Sequence, residues 1–184
     1  KKNIMSSELR VDKIVPVDGI PTGGGGGIVQ IQQTLKTNSF GSNNQNLVDI
    51  TGMSVSITPK FSTSKILVEV HMTYGGDLNM YGQIRLVRNP GDQTVGGSTA
   101  VSGNQRVGTF GVATTNSNDQ YKVRTASCKI LDSPATTSAL TYKLQVASTN
   151  TGGNYFYLNR PENNNDQQYI IGGSSTITVM EVSA

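Results

Sequence analysis

The chain is poor in the residues that most catalytic chemistry requires. It has one cysteine, one histidine and 12 aspartates and glutamates in 184 residues. A lone Cys128 excludes an intramolecular disulfide, and its place in an apolar-patterned run reads as a small core residue rather than a reactive thiol. His71 has no second histidine to share a metal with, and it falls on the polar side of a strong strand pattern. A surface or interface position therefore suits it better than ligation. Nothing marks an oxyanion loop for a cysteine–histidine nucleophile pair. Asp92, Glu162 and Asp166 stand in loops beside turn residues, the usual setting of turn chemistry. Glycoside hydrolysis would need two carboxylates about 5–10 Å apart. No catalytic residue, metal or cofactor is expected.

Other shortages narrow the fold and the partners. Ala, Leu and Glu total 21 residues, against 75 for Asn, Ser, Thr and Gly. The first group holds the best helix formers and the second suits turns and strands, so the composition is all-β. No apolar run approaches the roughly 20 residues of a spanning helix, and no membrane insertion is expected. Lys1 and Lys2 are not followed by an apolar stretch, so no secretory signal is read. Net charge is +3, from 15 Lys and Arg against 12 Asp and Glu, and the pI of about 9.0 reflects that small imbalance. Without a basic cluster interleaved with aromatics, nucleic acid is not an expected partner.

What is present is period-two patterning. Residues 28–35 set Val29, Ile31 and Leu35 on one face against Gln30, Gln32 and Thr34, the signature of a half-buried strand. "MSVSIT" turns Met53, Val55 and Ile57 inward. "KILVEVHMTY" is the strongest strand, with Ile66, Val68, Val70, Met72 and Tyr74 on one side and Lys65, Glu69, His71 and Thr73 on the other. "QIRLVR", "LTYKLQVA" and the final "SSTITVMEV" alternate as well, and 107–113 and 155–158 are shorter candidates. Between residues 121 and 131 the parity changes, from Tyr121 and Val123 to Ala126, Cys128 and Ile130, which predicts a β-bulge near Thr125. Eight or nine strands separated by Gly, Asn, Ser and Asp predict one antiparallel sandwich or barrel over residues 28–184. Two long polar loops, 89–105 and 148–168, are the expected binding surfaces on that scaffold. In the second, Tyr155, Tyr157, Arg160, Asn163, Asn164 and Asn165 are candidate receptor contacts, with a surface glycan as the partner they suit. The same residues would serve a stand-alone carbohydrate-binding module, a reading that leaves residues 1–22 unexplained.

Residues 1–22 read differently. Leu9, Val11, Ile14, Val17 and Ile20 recur without a pattern that buries them, and Pro16, Gly19 and Pro21 exclude a long helix. The segment is expected to be an extended attachment arm that orders against other chains. Gly23, Gly24, Gly25, Gly26 and Gly27 then follow. No Lys-Ser/Thr pair or helix comes after them, so a phosphate cradle is excluded, and they read as a hinge. The arm and hinge together form a first unit, residues 1–27.

Three stretches carry a resemblance. "SSELRVDKIVPVDG" resembles the extended segments of phage tail-fibre and other virion appendage proteins. "ITPKFSTSKILVEVHM" is similar to a strand-turn-strand stretch of the globular heads of such proteins, especially those of marine bacterial and cyanobacterial phages. "SSTITVMEV" resembles the closing strand of the same heads. Together they span about 50 residues, mostly near the ends. The resemblance implies a virion protein of tail-fibre, capsid-fibre or decoration type. It further implies a homotrimer with a jelly-roll head laid out like tumour-necrosis-factor folds, and an arm that meets other virion proteins.

Overall fold

A computed structural model describes residues 27–149 and 153–183. Eleven strands form: β1 (Ile28–Lys36), β2 (Phe40–Ser42), β3 (Val48–Ile57), β4 (Lys65–Gly76), β5 (Met80–Asn89), β6 (Gln93–Thr94), β7 (Phe110–Thr114), β8 (Arg124–Asp132), β9 (Leu140–Ser148), β10 (Phe156–Leu158) and β11 (Ser175–Val182). Helix among the described residues is limited to one 3-10 turn, Ser117–Tyr121.

All pairing is antiparallel. The first sheet runs β1-β11-β4-β8, with β10 beside the far end of β4 and β2 beyond it. The second runs β3-β9-β5-β7, with the short β6 also on β5. The chain changes sheet between β2 and β3, β3 and β4, β4 and β5, β7 and β8, β8 and β9, and β9 and β10. The eight longest strands, four in each sheet, make a jelly-roll sandwich with these crossings. The inward residues read from periodicity supply its core: Met53, Ile66, Val68, Met72, Tyr142, Leu144, Val146, Ile177 and Val179 are all buried. Each such side chain stabilises the fold by about 1.5–3 kcal/mol relative to exposure. Cys128 packs on the edge of this core, and burial pushes its thiol up to about 11.

Two details depart from the pattern. In β1 the alternation is present but turned over. Ile31 and Leu35 are 53% and 58% exposed, while Lys36 is buried. The inward side of this edge strand meets backbone and a carboxylate rather than apolar side chains. Gln30 Nε2 donates to Thr58 O and to Glu181 Oε2, both at 2.7 Å, and Thr34 Oγ1 donates to Ser54 O at 2.7 Å. Polar residues therefore close this side of the sandwich, and the apolar set faces out.

The expected bulge near Thr125 is absent. β8 pairs β4 in unbroken register from Tyr74 opposite Arg124 to Ile66 opposite Asp132. Tyr121 belongs to the 3-10 turn, so the parity change marks the entry to a strand, not a bulge within one. Register shifts lie instead in β1, between Ile28 and Gln30, and in β3, between Asp49 and Ser54, where Gly52 takes φ +83°.

The arm residues Leu9, Val11, Ile14, Val17 and Ile20 and the glycines Gly23 to Gly26 lie outside the described residues. Gly27 is described: its carbonyl accepts the backbone N–H of Ser183 at 3.0 Å, next to β1.

Candidate functional site

The candidate loop residues divide into two groups. Tyr155 and Tyr157 flank Phe156 in β10, so when Phe156 points into the core both tyrosines point out. Their rings stack with centroids 5.5 Å apart and planes 7° apart. The Arg160 guanidinium lies over the Tyr157 ring at 3.7 Å, completing three planar groups in one stack. Glycines make room for it. A Cβ on Gly41 would sit 3.1 Å from the Tyr157 ring, and one on Gly75 would sit 2.6 Å from the Arg160 carbonyl oxygen.

The electrostatics of this corner follow from Asp77. Its Oδ2 accepts the Tyr155 N–H at 2.8 Å. Burial first, and then the Asp77 charge, push both the Tyr157 hydroxyl and the Glu162 carboxyl up from their ordinary values, although Arg160 opposes the effect at Tyr157. Arg160 also donates from Nη1 to the carbonyls of Pro161 and Glu162, so it closes its own turn while it stacks.

Asn163, Asn164 and Asn165 do not join the stack through any of these contacts. The Asn163 N–H donates to Gln120 O, and its Oδ1 accepts the Asn165 N–H, an Asx turn that fixes the loop. Asn164 and Asn165 are exposed.

The outer face of the first sheet forms a second candidate surface. Strand register places Ile31 opposite Met180, Met180 opposite Leu67, and Leu67 opposite Leu131. These four side chains form one apolar row across four strands, about 14 Å long at a strand spacing near 4.8 Å. The next row is polar: Gln33, Thr178, Glu69 and Lys129, where Gln33 Nε2 donates to Thr178 Oγ1 at 2.7 Å and Lys129 pairs with Glu69. The third row holds Leu35, Thr176, His71 and Ser127. His71 sits in a shallow concavity of about 450 Å³ between these two rows. Leu67 is an apolar residue on the side of β4 that also carries Lys65, Glu69 and His71. Ile31 and Leu131 become its neighbours only through pairing, so strand order was the missing signal.

Among the described residues, no group of three or more His, Cys, Asp or Glu side chains is placed to hold a metal, and no helix is long and apolar enough to cross a membrane.

No protein-family model matches the chain, and no curated protein matches it. Among solved structures, the chain is similar to the VP2 subviral particle of infectious bursal disease virus. The identity is 10% over 84% of this chain and 41% of that one, with a TM-score of 0.37. It is similar as well to a mutant VP2 of the same virus in derived T=1 particles, at 12% identity over 84% of this chain and 36% of that one, with a TM-score of 0.36. The chain spans about two fifths of the length of those VP2 chains.

Proposed function

We propose that the chain is a virion structural protein of a bacteriophage, a component of a trimeric fibre or spike. Residues 1–27 hold it to other virion proteins, and the jelly-roll head faces outward for host-surface binding. The observation that carries this reading is the apolar row Ile31–Met180–Leu67–Leu131 on the outer face of the first sheet. The outer face of an antiparallel sheet that meets water is ordinarily polar. Leu131 and Ile31 are about half exposed in the single chain. Covering such a face with copies of itself removes it from water, and closed symmetry lets each copy do so equally. The phage-appendage resemblance of the arm and of two strands supports the virion assignment.

Light scattering of the intact chain should give roughly three times 19.6 kDa. Leu131→Glu places a charge in the row at a position already open to water, so the single chain should fold and stay monomeric. A wild-type monomer at micromolar concentration, or a trimer untouched by Leu131→Glu, would overturn the assembly reading. A chain lacking residues 1–27 should fold and fail to enter particles, and normal entry would refute the arm's role. A capsid-decoration fibre without a receptor role is the second reading. The engagement of Arg160 within its own turn favours it over receptor contact by the 148–168 loop.

A further inference from the structure

The outer face of the second sheet carries a groove that neither the assembly row nor the tyrosine stack uses. Along β5 the parity sends Gly82, Ile84 and Leu86 inward and leaves Tyr81 and Gln83 on the outer side. Beyond β6 the chain does not turn directly into β7. Residues 95–109 arch back over the sheet and are pinned at several points. Val95 N–H donates to Leu86 O, Ser98 N–H to Gly108 O, and Thr109 N–H to Ile84 O. Gln83 Nε2 donates to Val107 O at 2.5 Å, and Arg106 Nη1 donates to Gln45 O, between β2 and β3, at 2.6 Å. Gly108 lets the returning leg lie close, since a Cβ there would stand 2.9 Å from Ile84 O.

Between this arch and the strands lies a groove of about 850 Å³, within the roughly 300–1,000 Å³ typical of small-ligand sites. Its lining has a distinct chemistry. Tyr81, 46% exposed as a residue, offers an aromatic ring. Asn104, Gln105 and Gln83 supply amides, and Arg106 is the one charged residue in a lining without a carboxylate.

We propose that this groove binds an acidic saccharide, a sugar chain bearing a carboxylate. This deepens the host-surface half of the function proposed above by naming its site and ligand class. The C–H face of a pyranose packs on an open aromatic ring, and its hydroxyls pair with amides that both donate and accept. A carboxylate matches the guanidinium, which forms strong charge-assisted bonds to it. An acidic peptide would satisfy Arg106 equally, but a polyacidic chain offers no C–H face to the exposed Tyr81, so the sugar uses more of the groove. The groove lies on the opposite side of the sandwich from the Leu67 row, so assembly through that row leaves it open.

The experiment is an array of uronic- and sialic-acid-terminated oligosaccharides with matched neutral ones, probed with the intact chain, with polyglutamate as a further arm. Light scattering on the same sample reports assembly separately, so loss of one property is not mistaken for loss of the other. Binding is expected on acidic sugars and not on polyglutamate. Tyr81→Ala should weaken it by roughly tenfold or more, the scale of truncating an aromatic anchor. Arg106→Gln should bring acidic sugars down to the level of their neutral partners. Both side chains are exposed, so circular dichroism of both variants should match the parent. Arg106→Lys, which keeps the charge and a donor toward Gln45 O, should retain a preference for acidic over neutral sugars that Arg106→Gln loses. An Arg106→Lys variant without that preference would overturn the role of the charge. The proposal is overturned by an array without bound sugar, by binding of neutral sugars alone, by equal capture of polyglutamate, or by Tyr81→Ala or Arg106→Gln variants that bind as the parent does.

Discussion

Replacing Asn159 with alanine is the most demanding test of how the loop 159–174 is held. Asn159 is buried at the end of β10, with φ +64°. Its Nδ2 donates to the carbonyls of Lys36 at 2.9 Å and Asn38 at 3.0 Å, and its Oδ1 accepts the Ser175 hydroxyl at 2.6 Å. Ser175 Oγ in turn accepts the Thr73 N–H at 3.0 Å, so one amide ties together β1, β4, β10 and β11. Three side-chain bonds at about 1 kcal/mol each are lost on truncation, and their buried partners stay unpaired. Alanine in the left-handed region adds roughly 1 kcal/mol, since asparagine tolerates that region better. Asn159→Ala should therefore destabilise the chain by about 4 kcal/mol, a large share of the roughly 5–15 kcal/mol that holds a domain. Asn159→Gly removes the bonds without the backbone strain and should cost about 3 kcal/mol. Urea unfolding at fixed chain concentration measures both, because an assembling protein gains apparent stability with concentration. A loss below about 1 kcal/mol for Asn159→Ala would mean that water replaces the amide, and the hub reading would fail.

Glu181 faces inward and is buried, and burial alone would raise its carboxyl. Hydrogen bonds from Gln30 Nε2 and from the Lys60 and Phe61 N–H groups outweigh that and hold it below the ordinary range. A carboxyl lowered on folding stabilises above its unfolded value, near pH 4.3, and the contribution disappears as pH falls through the folded value. Stability followed by urea midpoint from pH 6 to 2 should fall along that limb, and Glu181→Gln should be weaker at pH 7 with a flatter limb; an unchanged slope would contradict the assignment. Gly75→Ala forces a methyl against the Arg160 carbonyl and Pro161 Cα, at 2.6 and 2.8 Å. It should cost about 1–3 kcal/mol and alter the near-ultraviolet signal of the tyrosine stack, whereas Gly111→Ala, with its nearest atom at 3.8 Å, should do neither. Cys128, with its thiol raised to about 11, should react with a disulfide reagent at pH 8 roughly two orders of magnitude more slowly in the folded chain than in urea; equal rates would place it at the surface.

Strands whose inner side meets apolar core were legible from alternation alone, which is why Met53, Val55 and Ile57, or Leu140, Tyr142, Leu144 and Val146, fall inside as read. β1 shows where that logic stops. Period two says which residues share a face, but the sandwich interior decides which face goes in, and at this edge the interior offers the Ser54 and Thr58 carbonyls and the Glu181 carboxylate. β2 was missed because three residues, one of them Gly41, carry no usable period. Tyr155 and Tyr157 were legible as candidates, but the Arg160 guanidinium placed on the stack depends on a turn that only the fold closes. Tyr81 could have been found: continuing the parity of "QIRLVR" two residues back puts it outside with Gln83. The groove around it could not, because the arch of residues 95–109 is set by contacts to Leu86, Ile84, Gln83 and Gln45 rather than by any local pattern.

The three surfaces are spaced so that each can act without obstructing the others. The Leu67 row and the Tyr157 stack share the outer face of the first sheet. Tyr157 lies opposite Gly75, eight residues along β4 from Leu67, or about 26 Å at 3.3 Å per residue. That exceeds the reach of two stacked side chains, so an assembly centred on the row meets the stack only at its margin. In the polar row next to Leu67, Glu69 is paired to Lys129 and Gln33 to Thr178, so the charges of that row already have partners. That row can be covered without stranding a charge, the condition that makes burial of charged groups tolerable. The groove beneath the 95–109 arch lies across the full thickness of the sandwich, on strands that make no part of the first sheet. For the proposed fibre head this separation gives one face up to neighbouring copies while the opposite face stays in contact with what surrounds the particle.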